Sequence, residues 1–221
     1  DEFPQMFRMR QRFEATPPVD VAASVADGFP AIRGQLKPGM RIAVGVGSRG
    51  ISNLAKVVAA VIGELKSAGA APFIIPAMGS HGGATPEGQA QLLAGYGVTE
   101  ASMGVPIHAS MEVESLGQTD DGQEVLWNRE ALAADGVIVI NRVKPHTAFS
   151  EPVGSGLTKM LVVGLGKHAG ASAYHAAALK LGYGEALMRL AGVILERAPV
   201  LGGVAIVENA AHETACVEVL A

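Results

Sequence analysis

The chain has 221 residues, of which 49% are hydrophobic, so it is long and apolar enough to bury a sizeable core. Its net charge of −4 and the lack of any Lys/Arg run argue against a general nucleic-acid or anionic-membrane surface. A single cysteine, Cys216, excludes an internal disulfide framework and a cysteine-cluster metal site. Apolar runs shorter than the roughly 20 residues of a membrane helix, together with this cysteine usage, lead us to expect a cytoplasmic protein.

Strand-like and helix-like segments alternate along the chain after an arm at residues 1–20. The predicted strands cover residues 41–47, 71–78, 135–141, 200–209 and 215–221, with short strands around a turn at 119–123. The predicted helices cover residues 19–32, 51 to a stop at Gly69, a segment opened by Thr85 and Pro86, 169–181 and 183–198. In the second helix one face is apolar, formed by Leu54, Val57, Val58, Val61, Ile62 and Leu65.

This alternation predicts one α/β domain over residues 1–221, with a mostly parallel, doubly wound (Rossmann-like) sheet and helices on both faces. In such sheets ligands bind beyond the carboxyl ends of the strands. The loops after the strands at 41–47, 71–78 and 135–141 hold Arg49, His81 and His146. We therefore expect these side chains to share a site.

Two glycine-rich segments suggest phosphate binding without completing a known pattern. "GVGSRG" (45–50) matches G-x-G-x-x-G, but the second strand ends in "IIPAMGSH" without the acidic residue that would hold a ribose. "GSGLTK" (154–159) lacks the G-K-[ST] ending of a phosphate loop. A nucleotide-binding module stays open as an alternative, and a tight strand-to-helix turn explains the first segment equally well.

The segment "NRVKPHTAFSEPVGSGLTKM" (141–160) places His146 and Lys159 between two apolar runs, "GVIVI" and "LVVGLG", that look like buried strand or core. Lysine is seldom fully buried without a partner, so its position indicates a site. Two histidines on opposite sides of a pocket can serve as acid/base groups, because imidazole titrates near neutral pH. No closely spaced set of metal ligands is present, although distant histidines could converge on a metal.

Four segments taken in order, "VGSRGISN", "AMGSHGGATPEG", "KPHTAFSEPVGSGLTK" and "ASAYH", resemble the N-terminal domain of the nickel-dependent lactate racemase family over roughly residues 41–210. The resemblance implies an isomerase that racemises or epimerises a 2-hydroxy acid by proton-coupled hydride transfer. It also implies a nickel-pincer nucleotide as cofactor, a pyridinium mononucleotide with two sulfur-bearing arms. Such a cofactor requires dedicated biosynthesis enzymes as partners.

The resemblance assigns roles residue by residue. Lys159 falls at the lysine that holds the cofactor covalently, beside the small residues Gly154, Ser155 and Gly156, and His175 falls at the nickel ligand. His81 and His146 fall at the two acid/base histidines, and Arg49 at the arginine that binds the substrate.

The sequence departs from the family pattern at Val46, where the family has an acidic residue, at Gly50, and at Gly82-Gly83. We expect these positions to border the substrate pocket, which favours a bulkier or sugar-derived 2-hydroxy acid over lactate. Family enzymes have a second, C-terminal domain, so the chain is expected to be the N-terminal half of a larger enzyme and inactive alone. A further copy of the chain is another expected partner. The alternative is a nucleotide- or metal-binding module of the same fold without racemase activity.

Overall fold

The computed structural model describes residues 5–13, 16–145 and 153–221. Seven strands lie in this part of the chain: β1 (Arg41–Val46), β2 (Ala71–Pro76), β3 (Val113–Gln118), β4 (Glu124–Asn128), β5 (Gly136–Arg142), β6 (Val200–Glu208) and β7 (Thr214–Leu220).

The longer helices of the described residues are α1 (Val21–Gly28), α3 (Leu54–Ser67), α4 (Pro86–Gly95), α8 (Lys167–Leu181) and α9 (Tyr183–Arg197). Four single-turn helices complete the series: α2 (Pro30–Arg33), α5 (Glu100–Met103), α6 (Arg129–Leu132) and α7 (Gly156–Lys159). A 3₁₀ turn covers Gly82–Ala84 and a π-helical turn covers Met160–Gly164.

The main sheet has five strands in the order β2-β1-β5-β6-β7. The first four run parallel, and β7 runs antiparallel to β6 at the edge. The small hairpin of β3 and β4 stands apart as a second sheet. The prediction of a mostly parallel α/β sheet is confirmed.

Two apolar layers cover the two faces of the sheet, because successive strand residues point to opposite sides. Ile42, Val44 and Val46 of β1 belong to the layer that includes α1 and α3. Ala43 of β1 belongs to the layer that includes α8 and α9, along with the buried Trp127 of β4. Helices therefore pack on both faces, as the alternation of elements predicted.

The predicted helices differ from the observed ones mainly at their ends. All six apolar residues predicted for one face of α3 are buried, which confirms its orientation. The helix predicted over 19–32 is instead divided into α1 and α2. Pro30 explains the division, because proline has no N–H to continue a helical ladder and favours the first position of a new helix.

The run "LVVGLG" is neither strand nor regular α-helix. Its first residues lie in the π-helical turn that follows α7, and Leu161 and Val162 of that turn are buried. Trp127 of β4 is completely buried and donates its indole N–H to the carbonyl oxygen of Leu161 over 2.9 Å. The sequence predicted that this run is buried strand or core. A short apolar run has no periodicity that distinguishes a strand from a helical turn, so only its burial could be predicted.

Thr85 caps α4 as the sequence predicted, and this cap fixes the end of the loop that follows β2. Its hydroxyl oxygen accepts a hydrogen bond from the Gly88 N–H at 3.1 Å, and Pro86 occupies the first turn. We expect Thr85→Ala to lower the free energy of unfolding by about 1 kcal/mol, because a helix N–H loses its partner. Chemical denaturation measures the change. Thr85→Ser retains the hydroxyl and should stay close to wild type, so equal stability of the two variants would contradict the capping role.

Candidate functional site

A cavity of about 200 Å³ lies at the carboxyl ends of β1, β2 and β5. Polar side chains reach it from the loops after these strands and from the segment around α7. They are Ser48, Arg49, His81, Asn141, Arg142, Lys144, Ser155 and Lys159. The strand ends and α7 thus bring together Arg49, His81 and Lys159, which are far apart in the sequence.

The cavity wall is strongly cationic. Arg49, Arg142, Lys144 and Lys159 line it, and no carboxylate does so among residues 5–13, 16–145 and 153–221. Arg142 also forms an ion pair with Glu208, whose side chain is only 6% exposed. Such a wall attracts anions, and guanidinium groups bind carboxylates and phosphates bidentately.

His81 is held between two neighbours by both of its ring nitrogens. The Arg49 guanidinium lies 3.0 Å from Nε2, and the Ser48 hydroxyl oxygen lies 2.7 Å from Nδ1. Arginine only donates hydrogen bonds, so Nε2 must accept, and Nδ1 then carries the proton and donates to Ser48. The contacts therefore select the neutral imidazole with its basic lone pair on Nε2.

The electrostatic surroundings favour the same protonation state. Partial burial, followed by the positive charge of Arg49, lowers the pKa of His81 below its usual value. His81 therefore remains a neutral base to a lower pH than an exposed histidine. His81 thus brings a basic nitrogen to the cavity wall, and the Arg49 guanidinium occupies that nitrogen in the free protein.

Lys159 is half-buried in the cavity wall at the end of α7. Its Nζ lies 3.5 Å from the carbonyl oxygen of Gly154, at the limit of hydrogen bonding. Burial is the main cause that lowers its pKa, with smaller contributions from Arg49 and Lys144. A lowered pKa raises the fraction of neutral amine, which is the form that can act as a nucleophile.

The small residues predicted to hold a cofactor mainly close a loop. The Ser155 hydroxyl accepts the Lys144 N–H at 2.9 Å and donates to the Lys144 carbonyl oxygen at 2.5 Å. The Gly156 carbonyl oxygen accepts from the Asn141 amide at 3.1 Å, and Gly156 does not line the cavity. Gly154 and Ser155 do line it, so their predicted contact with a ligand stays a prediction.

Of the two remaining predicted histidines, His175 alone belongs to the described part of the chain. His146 lies outside the described residues. His175 lies on α8 with an exposed side chain beside Tyr174, and it is not among the residues that line the cavity. In the described part of the chain, no three His, Cys, Asp or Glu side chains are grouped so that they could hold a metal ion.

The departures from the family pattern lie outside the cavity wall, contrary to expectation. Val46, Gly50, Gly82 and Gly83 do not line it. Val46 is completely buried in the layer with α1 and α3. A Cβ on Gly82 would lie 2.5 Å from the carbonyl carbon of Gly88, so this glycine permits close packing of the loop on α4. These positions therefore give no direct information on substrate size.

A buried lysine at the start of α8 escaped the sequence prediction. Lys167 is completely buried, and its Nζ donates to the carbonyl oxygen of Pro76 at 2.5 Å and to Oε1 of Gln89 at 3.0 Å. Burial lowers the pKa of Lys167 to about 7. The only local signal was a lysine directly after an apolar run, and nothing in the sequence pointed to Gln89.

Lys167 should make the stability of the protein depend on pH. Between pH 7 and the ordinary lysine pKa of about 10.4, the unfolded chain binds a proton that the folded chain has lost. The free energy of unfolding should therefore rise with pH there, by up to about 1.4 kcal/mol per unit. The slope should disappear as the pH falls below about 7, where both states are protonated. Lys167→Met should flatten the slope in denaturation curves, whereas Lys180→Met, the same charge change on exposed α8 surface, should keep it.

No helix in the described part of the chain is both long and apolar enough to cross a membrane.

Comparison with known proteins agrees with the resemblance seen in the sequence. A family model described as the lactate racemase N-terminal domain matches residues 28–184. The solved structure of the lactate racemase apoprotein from Thermoanaerobacterium thermosaccharolyticum is similar, with a TM-score of 0.67 and 15% identity. The similarity covers 90% of this chain and 52% of that one, so this chain spans about half the length of its structural relative. No curated protein matches the sequence. Because the family model covers well over half of the sequence, the chain belongs to the lactate racemase N-terminal domain family.

Proposed function

We propose that the protein takes part in racemising or epimerising a 2-hydroxy acid. The observation that carries this proposal is the meeting of Arg49, His81 and Lys159 in one cationic cavity. These residues supply a group for a carboxylate, a base for a hydroxyl proton and an amine of lowered pKa for covalent attachment. Family membership supports a racemase-related role for this set.

Arg49 is the proposed binding group for the substrate carboxylate. In the free protein its guanidinium donates to Nε2 of His81. A carboxylate that takes over the guanidinium N–H groups releases this nitrogen, and the α-hydroxyl of the same molecule then lies close to it. Substrate binding would in this way expose the base that accepts the hydroxyl proton.

His146 is the proposed acid/base group on the opposite side of the substrate. Two enantiomers present their hydroxyl groups to opposite sides of the pocket, so one histidine cannot serve both. His81 would hold the proton for one enantiomer and His146 for the other. This division rests on the family resemblance and on the sequence position of His146, four residues after the end of β5.

The cavity suits the organic part of a nickel-pincer nucleotide. Lys159 would hold it covalently, and Arg142 and Lys144 would neutralise its phosphate. His175 is the proposed nickel ligand on the basis of the resemblance alone. When bound, the cofactor would supply a reversible hydride acceptor, which avoids a carbanion at a carbon of very low acidity. Enzymes that synthesise the cofactor are proposed partners for the same reason.

A binding module without racemase activity is the second candidate. The observation in its favour is that His175 lies outside the cavity wall, while four cations line it. In that case the cavity would hold an anionic nucleotide without nickel chemistry.

The deciding experiment is to purify the protein from cells that also express the cofactor-synthesis enzymes. Intact mass and nickel content are measured, and the sample is assayed with single enantiomers of a panel of 2-hydroxy acids. Because the structural relative is about twice as long, the assay is run with and without a second domain. Appearance of the opposite enantiomer supports the racemase. Loading without turnover in either form favours the binding module.

A further inference from the structure

Lys167 and Gln89 form a buried polar pair that the proposed chemistry leaves unused. Both side chains are completely buried, and their sequence positions are 78 residues apart. Lys167 donates to Gln89 Oε1 and also to the carbonyl oxygen of Pro76, the last residue of β2. No carboxylate pairs with Lys167 among the residues that the structure describes.

Two backbone contacts fix the orientation of the Gln89 amide. Carbonyl oxygens only accept hydrogen bonds, so the amide nitrogen must face the Gly79 and His81 carbonyl groups and the amide oxygen must face Lys167. That nitrogen donates to the carbonyl oxygen of Gly79 at 2.8 Å and to that of His81 at 3.3 Å. A chain of hydrogen bonds therefore runs from α8, through α4, to the backbone of the base itself.

The geometry points to Lys167 and Gln89 as positioning residues for His81. The pair holds the loop after β2 in the conformation in which the His81 imidazole contacts Arg49 and Ser48. This inference rests on the proposed role of His81 as a base. The inference thus adds to the site two residues that do not line the cavity. They act through the Gly79 and His81 carbonyl groups.

Two features show that ordinary core packing does not account for Lys167. It adopts a left-handed backbone conformation, with φ of 56°, which is uncommon for a residue other than glycine and is kept only where its surroundings fix it. It also buries an amine where a Leu or Met would fill the space without a polar group. A neutral amine has two N–H groups, which match the two acceptors that Pro76 and Gln89 present.

The test follows the His81 imidazole by NMR in protein with isotope-labelled histidine, its signal assigned by loss in His81→Gln. Lys167→Met removes both donors while keeping the chain length. Gln89→Met removes the acceptor for Lys167 and the donors to Gly79 and His81 without adding a charge. Each variant should raise the titration midpoint of His81 toward the ordinary value of about 6.5, because the ring gains water and leaves Arg49.

Asn128→Leu is the matched control, since it makes the same amide-to-apolar change at a completely buried residue that caps α6. It should lower the melting temperature and leave the His81 midpoint unchanged. An unchanged midpoint in folded Gln89→Met overturns the inference, as does an equal shift in Asn128→Leu. If Lys167→Met fails to fold, Gln89→Met decides alone.

The readout needs no turnover, so it separates this inference from the proposed function. Failure to racemise any 2-hydroxy acid, with the His81 midpoint still coupled to Gln89, refutes the enzyme assignment and leaves the positioning pair in place. Racemisation with an uncoupled midpoint refutes only the positioning pair.

Discussion

His81→Ala should reduce kcat for 2-hydroxy acid interconversion by roughly 10²–10⁴-fold, the usual contribution of a general base. The substitution removes the basic Nε2 lone pair, which accepts a hydrogen bond from Arg49 in the free protein. No other described histidine lines the cavity. The measurement is chiral analysis of product formed by cofactor-loaded protein, in the form that shows turnover. Arg49 remains in place, so KM should change much less than kcat.

His168→Ala is the control for this prediction, because His168 is an exposed histidine on α8 that does not line the cavity. Its kcat should equal that of the wild type. His81→Gln should be as slow as His81→Ala, since an amide keeps some hydrogen bonds but is not a base at neutral pH. Wild-type turnover by either His81 variant would remove this residue from the mechanism.

Lys159→Ala should abolish the covalent cofactor adduct completely. The Lys159 amine is half-buried in the cavity, and its lowered pKa favours the nucleophilic form. Intact mass should show only the unmodified chain, and peptide mapping of the wild type should place the sulfur-containing adduct on Lys159. Lys159→Arg keeps the positive charge without a nucleophilic amine, so it too should show no adduct.

Lys144→Ala tests whether adduct formation requires the lysine at position 159 or any lysine in the cavity, since Lys144 lines the same cavity. We expect this variant to retain the adduct, with weaker loading because one cation is lost. An adduct mapped to Lys144, Lys167 or Lys180 in the wild type would show that the assignment of Lys159 is wrong.

The sequence was informative wherever a pattern is local. Apolar spacing fixed the face of α3, turn residues marked the start of α4, and alternation of elements predicted a parallel sheet. Once the sheet was predicted, the rule that its strand ends share an edge brought Arg49 and His81 together, and the structure places them 3.0 Å apart. The shared location of these two residues could be predicted from the sheet topology alone, without knowledge of side-chain conformations.

Other parts of the site depend on contacts that leave no local pattern. Lys167 and Gln89 meet across 78 residues, and neither lies in a motif. The glycines at 82 and 83 were expected to border the pocket because they depart from the family pattern, yet Gly82 serves packing on α4. Adjacent residues in a tight loop face different directions, so distance along the chain is a poor guide to which of them reach a cavity.

The hydrogen bond from Trp127 to Leu161 gives the protein an internal optical reporter. Trp127 is the sole tryptophan of the chain, and its indole N–H is bonded to a residue two positions after Lys159. Tryptophan fluorescence therefore arises from one buried position that contacts the π-helical turn directly after Lys159, the proposed attachment residue. Its emission should lie toward the blue in the folded chain and shift to the red on unfolding. A change in its intensity during incubation with the cofactor would report events at Lys159 in real time, without any label.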